Sequence, residues 1–366
     1  SFTNINLRAV RNDAGVCKAL LEGQQDITLT YDCDTPNVCL TPFAGIAITG
    51  DGSGESSGKV SLNFDSEGVA SLSSLSYADA GRVKLKAQAE IDNVTITATS
   101  NGEPLDIYPS YLALSVDETA LNYAGSADEN NYLAGDKFTL IVGAYGTNDQ
   151  LLPNYQSESP QLKVTRLAPS ATGVDGILRY ADSGNTNASI AATYENTTSL
   201  TFTDGEYRYM SAYYSDVGRI EVDIKDNNYL GNQIASSGAL ILGNFYPAYF
   251  SVTLSQQPIL ADSSGTFTYL GQDITFFTNP ELTITAYNAL DQITKNYGYS
   301  IQSNDNFWNY LPNQTLLNSS LSYLDSSSYT TTGSATVVSL GDAPVIQNHD
   351  NFDGTGTITI NNGSFK

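Results

Sequence analysis

At 366 residues, with 16 Lys and Arg against 39 Asp and Glu, the chain carries a net charge of -23, which excludes a phosphate backbone as a default partner because that affinity is supplied by basic side chains. A single His, His349, with one Met and one Trp, rules out a multi-histidine metal centre and leaves a serine or cysteine triad only His349 to rest on. Hydrophobic residues make up 40% and Tyr alone numbers 24, too much apolar material for a disordered acidic tail; the length predicts roughly two to three domains.

Ser1 opens no basic, apolar leader and reads as a mature or fragment start. Cys17, Cys33 and Cys39 follow within the first forty residues. The run from Cys33 to Cys39 brackets a Thr-Pro-Asn turn between two strand-like segments, so a disulfide closing that loop is sterically reasonable. Cys17 is then left over, and an odd count implies a partner outside the chain. Further on, Val60, Leu62 and Phe64 alternate with Lys59, Ser61 and Asn63, and Val83, Leu85 and Ala87 with Arg82, Lys84 and Lys86. Ile220, Val222 and Ile224 alternate with Arg219, Glu221 and Asp223, and Leu282, Ile284 and Ala286 with Glu281, Thr283 and Thr285. Period two marks half-buried strands, and clusters such as Gly50-Asp51-Gly52-Ser53-Gly54 supply turns between them. The best apolar run, Ala239-Leu240-Ile241-Leu242, is far short of the roughly 20 residues a membrane helix needs. The predicted class is all-β, with tandem immunoglobulin-like β-sandwich domains in a rod-like array.

An internal repeat sets the organisation. Ile107-Tyr108-Pro109-Ser110-Tyr111-Leu112 recurs as Phe245-Tyr246-Pro247-Ala248-Tyr249-Phe250. The run Ala144 to Tyr155 aligns without gaps to Ala286 to Tyr297, six of the twelve positions being identical, among them the Asp-Gln and Asn-Tyr pairs. Tyr77-Ala78-Asp79-Ala80-Gly81-Arg82-Val83 matches Tyr214-Ser215-Asp216-Val217-Gly218-Arg219-Ile220. A spacing of about 140 residues suits a whole domain copied in tandem. The repeat unit opens on the Tyr-Pro strand and closes on the Tyr-x-Asp-x-Gly-Arg strand, and the predicted domains are 1–105, which holds the cysteines and keeps the closing strand, 106–243, and 244–366, which repeats the second. If Ile360 takes the place of Leu62, the third closing element falls beyond Lys366, so the natural protein is expected to continue.

The motifs have modest readings. Pro109 and Pro247 suit the first residue of a strand, with the adjoining Tyr residues covering a junction between domains or offering a sugar platform. Asp149-Gln150 and Asp291-Gln292 read as turns with side-chain to backbone hydrogen bonds, in a fold-level role because both copies carry them. Asp79 and Asp216 are expected to cap a turn or to pair with Arg82 and Arg219. Calcium is the one cofactor the oxygen-rich loops could take, with Asp350 and Asp353 the first candidates, then Asp223 to Asp226 and Asp128-Glu129-Asn130; none completes the spacing of a calcium loop with a distal Glu. Asn-x-Ser/Thr sequons occur at Asn93, Asn187, Asn196, Asn313, Asn318 and Asn362. No catalytic residue is singled out; glycoside hydrolysis would need two carboxylates at about 5 to 10 Å.

The run Leu7-Arg8-Ala9-Val10-Arg11, then Cys17-Lys18-Ala19-Leu20, Cys33 with Pro36 and Cys39, Leu62-Asn63-Phe64-Asp65 and Tyr77-Ala78-Asp79-Ala80-Gly81 resembles the conserved domain of MshQ-type proteins. So does Asn244-Phe245-Tyr246-Pro247-Ala248-Tyr249-Phe250, departing at Asn244, Ala248 and Tyr249, where that family tends to have Arg, Asp and His. The resemblance covers about residues 5 to 260. It implies a part in biogenesis of the mannose-sensitive haemagglutinin type IV pilus of Gram-negative bacteria and carries no catalytic residues.

The expectation is therefore a non-enzymatic stalk or adhesin component, exported through the periplasm to the cell surface, with other pilus or surface proteins as partners and no nucleic acid. An oxidising compartment suits a disulfide between Cys33 and Cys39. The rival reading is an array of carbohydrate-binding modules meeting surface glycans with exposed Tyr residues and Trp308.

Overall fold

The computed structural model describes residues 5–41, 43–44, 49–50, 59–72, 75–99, 104–121, 132–169, 173–182, 187–197, 199–260, 274–297, 337–339, 346–347, 353–359 and 364–365. Among them the regular structure is β throughout, apart from one 3-10 turn at Thr119–Leu121. The protein is an all-β array of immunoglobulin-like sandwiches, as its period-two patterning predicts.

In the first sandwich the long strands Gly23–Thr35 and Gly81–Ile91 pair antiparallel, and Lys59–Phe64, Val94–Thr99 and Leu105–Ile107 extend their sheet. Alternation decides what each strand buries: Ile27, Leu29 and Tyr31, Leu62 and Phe64, and Val83 and Ala87 all turn inward. Around Tyr31, Phe43, Leu75 and Val83 lies a separate small core, in which the rings of Tyr31, Phe43 and Tyr77 meet at centroid distances of 4.6 to 6.3 Å. Cys33 and Cys39 pack against that core and form a disulfide. Cys17 is a free, exposed thiol.

The second sandwich faces one sheet, built on Tyr111–Val116, Phe138–Tyr145 and Glu206–Tyr214, against another built on Pro160–Ala168, Gly218–Tyr229 and Leu240–Tyr246. Leu112, Phe138, Leu140 and Val142 of the first sheet share one core with Ile220, Val222, Ile224, Leu242 and Phe245 of the second. In the third unit, Tyr249–Gln256, Glu281–Tyr287, Thr355–Thr359 and Ile346–Gln347 form one sheet, and Ile259–Leu260, Ile274–Thr278, Ser364–Phe365 and Val337–Ser339 another.

The expected boundaries at 105/106 and 243/244 both fall inside strands. Leu105–Ile107 pairs with Gly81–Val83, and Leu240–Tyr246 pairs with Gly218–Val222, so the ladder carries each sheet on to its Tyr-Pro step. Nor does the Tyr-x-Asp-x-Gly-Arg strand close a unit, because Gly81–Ile91 and Gly218–Tyr229 each take up further strands that follow them.

Register fixes the polarity of the second sandwich. Gly143 lies opposite Glu206, and Phe138 opposite Ala212. The 146–155 loop and the Tyr214 to Gly218 turn therefore cap opposite ends of one sheet. The chain enters at the first end, where the Ser110 N–H donates to the Tyr145 carbonyl at 2.7 Å. It leaves at the other, where Phe245 pairs with Gly218 and the Tyr246 carbonyl accepts from the Ala134 N–H at 2.8 Å.

Candidate functional site: the domain joints

The three repeated motifs meet where one sandwich ends and the next begins. At the first joint the Asp79 carboxylate, 1% exposed, caps its own turn by accepting from the Ala80 N–H at 2.8 Å. It accepts as well from the Asn154 N–H of the second sandwich at 2.8 Å and from the Thr41 hydroxyl at 2.6 Å. The Asn154 amide donates in turn to the Val38 carbonyl at 3.0 Å, a carbonyl held in place by the loop that the Cys33–Cys39 disulfide closes. Burial, and next the charge of Asp79, push the Tyr77 hydroxyl well above the usual tyrosine range.

At the second joint the same chemistry recurs with different neighbours. Asp216 accepts from the Val217 N–H at 2.7 Å and from the Lys295 and Asn296 N–H groups of the third unit, both at 3.2 Å. The Asn296 amide is fully buried and reciprocal: its Nδ2 donates to the Val174 carbonyl and its Oδ1 accepts from the Val174 N–H, each at 2.8 Å. Asn288 adds a donor to the Ser215 carbonyl at 2.8 Å, and the Ala289 N–H donates to the Ala134 carbonyl at 2.8 Å. Burial pushes the Asp216 carboxyl up to about 7, against the pull of the Val217, Asn296 and Lys295 N–H groups.

A glycine explains why each Asp turn fits. Gly81 and Gly218 have φ of +141° and +123°, and a Cβ at either would come within 2.5 Å of the Thr35 carbonyl oxygen or 2.0 Å of that of Ala168. Both carbonyls precede a proline, Pro36 or Pro169, so a Pro loop against a Gly turn is a repeated feature. Pairing these two Pro loops by sequence would have exposed it. The Asp turn and the Asn-Tyr loop are both conspicuous in the sequence, but about 75 to 80 residues separate them, and only the fold brings them together.

The Asp149-Gln150 and Asp291-Gln292 turns have the fold-level role expected. Asp149 and Asp291 sit at φ of +57° and +59°. Each accepts a hydroxyl from the second Tyr of a Tyr-Pro-x-Tyr run, Tyr111 at 2.7 Å and Tyr249 at 2.8 Å. Those Tyr rings stack on Tyr145 and Tyr287 at 5.3 and 5.1 Å. The turns thus tie each domain's first strand to the loop that grips the preceding domain.

Other sequence candidates fall elsewhere. Arg82 does not pair with Asp79: its Nε and Nη2 donate to both carboxylate oxygens of Asp106 at 2.6 and 2.8 Å, a bidentate pair across adjacent strands. Asp223 and Asp226 are not a calcium loop, because both lie in the strand Gly218–Tyr229 and are spent on protein donors. Asp223 accepts from the Tyr194 and Ser236 hydroxyls. Asp226, fully buried, accepts from the Tyr155 hydroxyl and the Glu158, Ser159 and Asn228 N–H groups at 2.9 to 3.2 Å. Asp353 is exposed and accepts from the Thr355 N–H and hydroxyl at 2.9 and 2.7 Å. Asp350, Asp128 to Asn130, Trp308 and His349 lie outside the described residues. Among the described residues no three His, Cys, Asp or Glu side chains converge as a metal site, and no helix is long and apolar enough to cross a membrane.

Reducing the disulfide, or replacing both cysteines in Cys33→Ser/Cys39→Ser, is expected to destabilise the first sandwich by about 2 kcal/mol, the loop-closure value for so short a ring. It should also free the Val38 carbonyl from Asn154. Calorimetry with and without reductant checks the first effect, and amide exchange at Asn154 the second.

Residues 1–102 match the family model described as domain of unknown function (DUF6701), first Ig-like domain, and residues 216–363 match DUF6701, third domain. Among solved structures the chain is similar to a tetra-tandem repeat in the extending region of a large adhesion protein, with 15% identity over 76% of this chain and 66% of that chain and a TM-score of 0.31. It thus spans just under two thirds of that structure. It is also similar to the Escherichia coli adhesin FdeC, with 14% identity over 92% of this chain and 88% of that one and a TM-score of 0.31. Against native E. coli alpha-2-macroglobulin the figures are 14% identity, 75% of this chain, 15% of that one and a TM-score of 0.20. A search of curated proteins found no match.

Proposed function

We propose, on the premise of DUF6701 matches at both ends of the chain, that this protein is a non-enzymatic stalk of the bacterial cell surface which holds an adhesive module away from the envelope. More specifically, it serves type IV pili of the mannose-sensitive haemagglutinin kind, is exported through the periplasm, and has other pilus or surface proteins as its partners. The observation that carries this reading is the repeated joint: Asp79 with Asn154, then Asp216 with Asn296, each buried. Both joints are built from backbone donors and a carboxylate cap, an arrangement that links one domain to the next.

The polarity of the second sandwich supports a mechanical role. Tension enters at Ser110 and leaves at Tyr246, at opposite ends of the sheets. Ladder hydrogen bonds lie across the strands, so a pull along them shears many bonds at once instead of opening them singly. Immunogold labelling of piliated native cells with antibody raised against this chain tests the reading. Label on pili or at the cell surface is the expected result; label on neither overturns it. Binding of the purified chain to a glycan panel would instead favour the carbohydrate-binding alternative.

A further inference from the structure

We propose that the joint between the second and third sandwiches is a proton-linked hinge, in which closure buries the Asp216 carboxyl against the backbone of Lys295 and Asn296 and is favoured as pH falls. The stalk reading above supplies only the use of such a hinge; the device itself rests on the geometry of the joint.

The two joints bury equivalent aspartates in unequal surroundings. Asp79 takes a hydroxyl, from Thr41 at 2.6 Å, besides its N–H donors. Among the described residues Asp216 takes three N–H groups, two of them at 3.2 Å, and no hydroxyl. Hydrogen bonds to an ionised group offset its loss of water, and this compensation is thinner at Asp216. The charged and titratable groups around it leave the cost largely standing. Tyr214 comes from its own turn and is itself pushed up, first by burial and then by Asp216. From the strand and loop alongside, Arg166 is committed to Asp175 at 2.6 Å and to the Pro169 carbonyl at 2.9 Å. From the third unit comes Lys295, whose side chain is exposed.

The sign follows from where the proton is held. In an open joint the carboxyl meets water and keeps its ordinary value of 3.8; in the closed joint it is pushed up to about 7. The closed joint therefore binds the proton more tightly. Between those values the closed-to-open ratio falls by roughly tenfold for each pH unit gained. Opening on the alkaline side costs the Lys295 and Asn296 amides their Asp216 acceptor.

The test uses the full chain in a Cys17→Ser background, with spin labels on M210C in the second sandwich and V252C in the third, positions that are 77% and 58% exposed. Pulsed dipolar spectroscopy at pH 5.5 and 8 reads the distance between the labels. The expected result is one narrow distribution at pH 5.5, a longer second population growing at least tenfold by pH 8, and a pH-independent distribution in Asp216→Asn. Because that variant could perturb folding, circular dichroism accompanies it, and amide exchange at Lys295 and Asn296 is followed in the unsubstituted chain. Their protection factors should fall at least tenfold over the same range. An unchanged distribution with unchanged protection overturns the hinge, as does a pH response that survives in folded Asp216→Asn. Neither outcome bears on the stalk reading, which stands or falls on the labelling of cells.

Discussion

Asp226→Ala is expected to destabilise the second sandwich by about 4–6 kcal/mol. The substitution strips the acceptor from the Tyr155 hydroxyl and from the Glu158, Ser159 and Asn228 N–H groups, of which the Tyr155 hydroxyl, like the Asp226 carboxylate, is buried. Each orphaned buried donor costs about 1–3 kcal/mol. The buried Tyr155 hydroxyl bears this in full, whereas Glu158 and Asn228 are exposed and the three N–H groups only partly buried, which puts the sum at about 4–6 kcal/mol, a large share of the roughly 5–15 kcal/mol by which a typical domain is stable. Asp226→Asn keeps one acceptor oxygen and should fall between the two. Differential scanning calorimetry of the full chain checks both, since only the transition of the second sandwich should move. Adding a chelator to the unsubstituted chain should shift nothing, which separates a structural carboxylate from a calcium ligand.

Phe245→Ala comes next in size. Its ring is fully buried and meets those of Tyr132, Phe138 and Tyr214 at 6.4, 6.4 and 5.2 Å, at the end of the sandwich that carries the Asp216 turn. Truncating a buried Phe to Ala costs about 3–5 kcal/mol through lost transfer energy and the cavity left behind, so urea melts should show a lowered midpoint at unchanged slope. The hole also lies beside Tyr214. A pH dependence of the second joint should therefore weaken in this variant as water gains access to Asp216. Phe245→Leu fills most of the space and is expected to recover more than half of the loss.

Much of the architecture is legible in the sequence because half-buried strands write their burial as alternation. Val60, Leu62 and Phe64, or Ile220, Val222 and Ile224, give both the class and the inward face. The tandem arrangement is legible too, since a copied domain copies its turns. Domain limits blur by a few residues at Leu105–Ile107 and Leu240–Tyr246 because a strand before a Tyr-Pro step pairs backward in the chain, and pairing is non-local. The joints are only half legible. Asp79, Asp216, Asn154 and Asn296 all stand out as repeated polar residues, but a polar residue in a turn looks the same whether it caps its own loop or grips the neighbouring domain. Arg82 misleads for a related reason. It lies three residues from Asp79 in sequence, yet its side chain pairs with Asp106 on the neighbouring strand.

The placement of the Asn-Tyr loop at one end of the second sandwich and the Asp turn at the other gives that copy a plug for the Asp turn before it and a socket for the Asn-Tyr loop after it. Such an interface is heterologous: it joins head to tail, with a different surface on each side. Duplicating the coding segment for one domain therefore duplicates a compatible pair of ends, and a longer array needs no newly invented contact. Length becomes a property that can drift by whole modules while every seam stays the same. Variants can then accumulate at single seams, as the change of neighbours from Asp79 to Asp216 illustrates, and tune one link of the series without disturbing its siblings.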